Sequence, residues 1–321
     1  MEFDTVRISF PHIKKAKYGL NSVSLMLSLT LTGLKLKNPL MLAAGIMGTT
    51  GGSLKRIADN GAGAVVTKSL GIEPIGGHSN PSMVEVDCGY LNAMGLPNPS
   101  YKNFQQEIDI ARGASTPVIA SIFGGCALDF SEIAGTLDAD AFELNVSCPH
   151  AHGYGAQIGT DPDLVEDITK AVKAATFAPV WVKLTPNVTD ITSIGLAAQR
   201  GGADAVVAIN TVRAMAIDIN SGYPILGNRF GGLSGRAIKP VAIKCVYDLY
   251  DALKIPVIGV GGISDWKDAI EFIMAGARAI EVGSAVGNNI NVFRDISSGM
   301  EAFLMEKEWT LDEIYGMAHK K

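Results

Sequence analysis

The chain has 321 residues, 47% hydrophobic and 18% charged, which supplies material for a sizeable core and excludes a disordered polypeptide. Lys and Arg total 27 against 32 Asp and Glu, a formal net charge of −5, so no overall field draws the chain to nucleic acid or to an anionic membrane surface. Four cysteines, at 88, 126, 148 and 245, contain no Cys-x-x-Cys pair, which argues against a metal or iron–sulfur site within the chain and fits reduced thiols in the cytoplasm.

Lys14, Lys15 and Lys17 precede a fairly apolar stretch at 20–34, the outline of a signal peptide. Ser22, Ser24, Ser28, Thr30 and Thr32 interrupt it, and Leu25, Leu27, Leu29 and Leu31 alternate with mostly polar neighbours, which is strand periodicity. Residues 1–24 are therefore expected as an N-terminal extension, and 27–31 with 34–37 as a hairpin closing the N-terminal end of the main domain. No run of roughly 18 apolar residues predicts a membrane span.

From residue 39 one theme repeats eight times: a short apolar run ending in Gly, Ser, Thr or Asn, then an amphipathic helical pattern. The runs are 39–45, 63–69, 117–123, 141–147, 179–185, 205–210, 256–262 and 279–284. Runs apolar on both faces fit parallel strands covered by helices. Thr160 or Asp161 can cap a helix with Pro162 in its first turn, whose inward face is Leu164, Val165, Ile168 and Val172. Ser264 is expected to cap the next-to-last helix, with Trp266, Ile270, Ile273 and Met274 inward and Gly276 as its stop. Eight such units predict an α/β fold, a (β/α)8 TIM barrel with an N-terminal β-hairpin. A doubly wound sheet would want Gly-x-Gly-x-x-Gly after the first strand, and Ala44-Gly45-Ile46-Met47-Gly48 does not fit. Residues 25–310 are read as one barrel domain and 311–321 as a C-terminal tail. Long connections follow strands two, four and six, and in a barrel all rise over the C-terminal face.

The strand ends carry polar groups: Lys68, Asn145, Lys183, Asn210, the pair Gly261-Gly262, and Gly283-Ser284. Singly, such a Lys is a rim charge and such an Asn a turn former. Together, on one barrel face, they point to one spot. Glycines after strands seven and eight suit a phosphate, because backbone N–H groups approach an anion where no Cβ intervenes, although tight turns alone would also explain them. The 36 glycines, well above the usual share of roughly 7%, allow either. The segment 231–235 could add a further backbone wall. Cys148, just past strand four, opens a Gly-rich loop containing Gly153 and Gly155, while Cys88, Cys126 and Cys245 are read as small buried hydrophobes. A thiol at 148 could act as nucleophile or as base, with His150 and His152 nearby in sequence. The segment 91–98 combines amides with Gly95 and suits either a flat polar ring or a simple turn.

These segments together resemble dihydroorotate dehydrogenase. The resemblance runs through Thr67-Lys68-Ser69, Asn92-Ala93-Met94-Gly95-Leu96, Asn145-Val146-Ser147-Cys148-Pro149, Lys183-Leu184-Thr185-Pro186-Asn187, Ile209-Asn210-Thr211-Val212-Arg213, Gly231-Gly232-Leu233-Ser234-Gly235 and Gly261-Gly262-Ile263. It covers about residues 27–300, in order. Cys148, where the membrane-associated class has Ser, indicates class 1, and the 210–218 and 231–235 segments are similar to class 1B. The resemblance implies the catalytic subunit of a heterotetramer: FMN in this chain, a homodimer, and a separate NAD-linked iron–sulfur subunit carrying FAD and a [2Fe–2S] cluster. It implies FMN contacts from Ala44, Lys68, Ser69, Ser121, Asn145, Lys183, Ile209, Gly235, Gly261, Gly262, Gly283 and Ser284. Lys183 would stabilise the reduced flavin. Substrate contacts would come from Lys68, Asn92, Ala93, Met94, Gly95, Leu96, Asn145, Asn210 and Thr211. Cys148 would remove a proton from C5 of dihydroorotate while a hydride leaves C6. Two positions depart from the family pattern: His150 after Cys148-Pro149, an arrangement similar to dihydropyrimidine dehydrogenase, and Ser121 where class 1B often has Asn. The alternatives are thus a flavin-dependent dihydropyrimidine (dihydrouracil) dehydrogenase and a non-flavin, phosphate-binding barrel isomerase or synthase.

Overall fold

The computed structural model describes residues 26–147 and 158–320. All eight apolar runs become strands: β1 (Leu40–Leu42), β2 (Ala64–Val66), β3 (Val118–Ile122), β4 (Ala141–Asn145), β5 (Val180–Leu184), β6 (Ala205–Ala208), β7 (Val257–Val260) and β8 (Ala277–Val282). They close in sequence order into a parallel barrel, β8 returning to β1. The strands are shorter than the runs because the last polar residues of each run already turn into loops. The exception is β8, which begins at Ala277, two residues early.

Parity explains why the runs are apolar on both faces. Alternate residues such as Met41, Val66, Ile119, Trp181, Val207 and Ile258 fill the barrel interior. The residues between them, such as Leu42, Val65, Phe142 and Val182, pack outward into the larger core. The expected hairpin forms from Leu29–Leu31 and Leu34–Leu36 through positive φ at Thr32 and Gly33, as a two-residue hairpin turn requires. Leu31 and Leu36 join the barrel interior, and Trp181 Nε1 donates to Thr32 Oγ1 at 3.0 Å. The hairpin therefore closes the N-terminal end.

The helices refine the sequence expectations. In the helix Pro162–Ala175 the cap is Asp161, whose carboxylate accepts from the backbone of Asp163 and Leu164. Asp161→Ala should cost about 1 kcal/mol, the usual value of an N-cap, read as a lowered urea midpoint. In the helix Trp266–Met274 the cap is Asp265, not Ser264: Asp265 and Asp268 form a capping box, and Ser264 instead donates to Asp268. Residues 311–319 pack on the barrel, with Ile314 fully buried and His319 stacked on Tyr247 at 3.7 Å. Of the described cysteines, Cys88 is exposed and Cys126 and Cys245 are half-buried, so the expectation of buried thiols is corrected.

The long connections after β2 and β6 do more than loop. They build one four-stranded antiparallel sheet in the order Val212–Ala214, Gly231–Ser234, Gly89–Asn92, Met83–Val86. Leu91, Ala93 and Leu226 give it a small core of its own. The connection after β4 includes residues 148–157, which lie outside the described residues. Among the described residues no helix is long and apolar enough to cross a membrane.

Candidate active site

The mouth is built by continuing the inward parity of the strands past their apolar layers. Ser121 in β3 and Ser69 just after β2 are buried, with their hydroxyls 2.9 Å apart. Asn145, the last residue of β4, donates from Nδ2 to Ser69 Oγ at 3.1 Å. Asn210, after β6, donates to Asn145 Oδ1 at 3.4 Å and accepts from Thr211 N at 2.8 Å. Ser121, Ser69, Asn145, Asn210 and Thr211 thus lie on one hydrogen-bonded run across strand ends that sequence places far apart. Asn187, to which sequence reasoning assigned no role, props the run: Nδ2 donates to Thr211 O and Oδ1 accepts from Arg213 N.

The sheet above the mouth brings in the remaining ring-binding candidates. Asn92 pairs with Gly232 in register, and its Nδ2 donates to Gly232 O at 3.3 Å. A Cβ on Gly232 would fall on the Thr211 side chain. Glycine here lets Asn92 and Thr211 approach from two different connections. Gly232→Ala should push Thr211 out of line, costing about 1–3 kcal/mol as overpacking does, read as a lowered urea midpoint. Ala93 is buried and Met94 exposed, Gly95 and Leu96 have positive φ, and His78 N donates to Met94 O at 3.0 Å.

The glycines sort into two groups. Gly231 and Gly232 belong to the strand just described, so they form no separate phosphate wall. Gly235, Gly261 and Gly262 all have positive φ, and a Cβ on Gly262 would meet Gly235 O at 2.8 Å. Ile209 is buried, and its side chain would lie 3.5 Å from a Cβ on Gly261. Gly283, after β8, has only Ala43 Cβ near its own Cβ position, at 3.6 Å. Ser284 comes next in the chain, and Ala44 lies just past the neighbouring β1, where Ala43 N donates to Val282 O. Positive φ and close neighbours require glycine at 261 and 262, Gly283 has room around it, and with no Cβ on any of the three the ends of β7 and β8 form a cradle suited to a phosphate.

Charge is concentrated at two points. Lys68 is 8% exposed and has no acidic partner among the described residues, and burial lowers its pKa. A buried ammonium without a counter-charge suits an anionic ligand. Lys183 is also buried, but its Nζ lies 2.7 Å from Glu281 Oε2 and 3.4 Å from Glu143 Oε1. Neither glutamate was singled out from the sequence. The signal was present: each is an acid inside an apolar run, at the inward parity of Asn145 and Ala279. Ser147 holds its hydroxyl buried and, among the described residues, without a hydrogen-bond partner. The next residue is Cys148, which with His150, His152, Gly153 and Gly155 lies outside the described residues.

The sequence and the fold are both similar to those of known proteins. The family profile for dihydroorotate dehydrogenase matches residues 26–304. The chain is 68% identical over 289 residues to the dihydroorotate dehydrogenase B (NAD(+)) catalytic subunit of Methanocella arvoryzae, covering 90% of this chain and 96% of that one. It is 52% identical over 302 residues to the protein of the same name from Methanocaldococcus jannaschii, covering 92% and 99%. In fold it is similar to the crystal structure of DHODH from Eimeria tenella in complex with ferulenol, at TM-score 0.81 and 22% identity, covering 95% of this chain and 91% of that one.

Proposed function

The chain belongs to the dihydroorotate dehydrogenase family, and we propose that it is the NAD-linked catalytic subunit, oxidising dihydroorotate to orotate for pyrimidine synthesis in the cytoplasm. The observation that carries this reading is the buried Lys68, without an acidic partner among the described residues, next in the chain to Ser69 on the run from Ser121 to Thr211. That arrangement offers one cation for a carboxylate and several amides and hydroxyls for a flat polar ring.

FMN would lie over this mouth. The cradle of Gly235, Gly261, Gly262, Gly283 and Ser284 fits its phosphate, because its four glycines put no Cβ between the backbone N–H groups and an anion and Ser284 adds a hydroxyl. Ala44, Ser69, Ser121, Asn145, Lys183 and Ile209 would line the ring system. Bound FMN would supply the acceptor for the hydride from C6. The rest of the chemistry belongs to the chain. Lys68 pairs with the substrate carboxylate and fixes its direction. Asn92, Asn145, Asn210 and Thr211, with the backbone of 93–96, hold the ring amides and set which face meets the cofactor. Cys148 acts as the base that takes the C5 proton.

Electrons would pass to a separate iron–sulfur subunit carrying FAD and a [2Fe–2S] cluster, and from it to NAD⁺. A homodimer of this chain would form the centre of that assembly. Met215, Ile217, Ile219 and Tyr223, exposed on the connection after β6, supply apolar surface for such association. The deciding experiment mixes the yellow protein with dihydroorotate without air. Rapid bleaching by dihydroorotate but not by dihydrouracil supports the reading. Bleaching by dihydrouracil alone would assign the site to dihydropyrimidines, and protein that never binds flavin would point to a phosphate-binding isomerase or synthase.

A further inference from the structure

Glu143 and Glu281 are buried acids that the chemistry above does not use. Glu143 stands on β4, Lys183 on β5 and Glu281 on β8, and both carboxylates are fully enclosed. Lys183 Nζ reaches Glu281 Oε2 at 2.7 Å and the two Glu143 oxygens at 3.4 and 3.5 Å. Among the described residues, Glu281 Oε1 has no hydrogen-bond partner. The register sets Lys183 level with Asn145, and Glu143 one layer lower, level with Trp181. The cluster therefore lies between the polar mouth and the apolar plug.

Two carboxylates and one ammonium leave one uncompensated negative charge in this space. Around it β1, β3, β6 and β7 direct Met41, Ser121, Val207 and Val260 inward, none of them charged, and β2 contributes only Lys68, beyond its end. A buried anion without a partner takes up a proton rather than stay charged, and neighbouring carboxylates cannot both ionise freely. Burial, then the charge of Glu281, pushes the Glu143 carboxyl well up against the pull of Lys183. Burial draws Lys183 down, but Glu143 and Glu281 more than offset it and hold the ammonium above its ordinary value.

We propose that Glu143 and Glu281 share one proton and act as positioning residues, pinning the Lys183 ammonium below the mouth in a triad that is neutral overall. The triad can then accept a second proton when negative charge builds above it. That consequence rests on the flavin reading; the shared proton itself does not.

The test is infrared spectroscopy of the full-length chain at pH 7, wild type beside E143Q and E281Q. One buried carboxylic-acid C=O band per chain is expected in wild type, with loss of that band in each variant, because the surviving carboxylate pairs with Lys183 and ionises. A wild-type spectrum lacking the band overturns the proposal without need of any variant. A band that survives in either variant also overturns it, since the proton would then belong to one group alone or to another acid such as Glu301. A second measurement tracks the midpoint potential of the FMN-loaded protein against pH. A one-proton break should appear in wild type and vanish in E281Q. A chain that takes up no flavin would fail the functional reading and leave the infrared result to decide the triad.

Discussion

Cys148→Ala should slow reduction of the flavin by dihydroorotate roughly 10²–10⁴-fold, the span typical of a lost general base, while orotate binding stays near its wild-type level. The split follows from the division of labour at the mouth. In the proposed reading, Lys68 and the hydrogen-bonded run from Ser69 to Thr211 would hold the pyrimidine with no help from a thiol. Proton removal from C5 has no other assigned base. Only the thiolate can do this work, and an unperturbed thiol near pKa ~8.5 is only a few per cent ionised at pH 7. The reduction rate should therefore rise with pH until the thiol is ionised, then level off. A rate flat from about pH 6 to 9, or a C148A protein reduced at the wild-type rate, would remove Cys148 from the mechanism.

Lys183→Met should destabilise the fold by about 3–5 kcal/mol near neutral pH, as removal of one partner from a buried ion pair does. The variant leaves Glu143 and Glu281 facing each other in the barrel with no cation between them. The Glu143 carboxyl, already pushed well up by burial, loses the opposing pull of Lys183 and so lies further above its unfolded value. Such groups favour folding below the unfolded pKa, and that contribution is lost as pH rises through the folded value. The deficit against wild type should be larger at pH 8 than at pH 5.5, measured as urea midpoints with m unchanged. An equal deficit at both pH values would mean that the loss comes from packing rather than from charge.

Much of the architecture was legible because it rests on local chemistry. Eight two-sided apolar runs can only be satisfied by strands covered on both faces, and the Leu27–Leu36 alternation announces a hairpin. The polar strand ends were legible for the same reason, since Lys68, Asn145, Lys183 and Asn210 each close an apolar run. What escaped depends on long-range pairing. The sheet over the mouth joins 83–92 to 212–234, and no periodicity in four-residue strands reveals that partnership. Gly232 looked like part of a phosphate loop because only its approach to Thr211 shows its purpose. Glu143 and Glu281 were hidden in apolar runs because the counter-ion that makes them tolerable stands on another strand.

The hairpin at the base has a consequence for traffic. With Leu31, Leu36 and Trp181 sealing the lower end, the barrel is a cup rather than a tube. In the proposed reading, dihydroorotate enters and orotate leaves by that one rim, so orotate should inhibit competitively against dihydroorotate in steady-state kinetics.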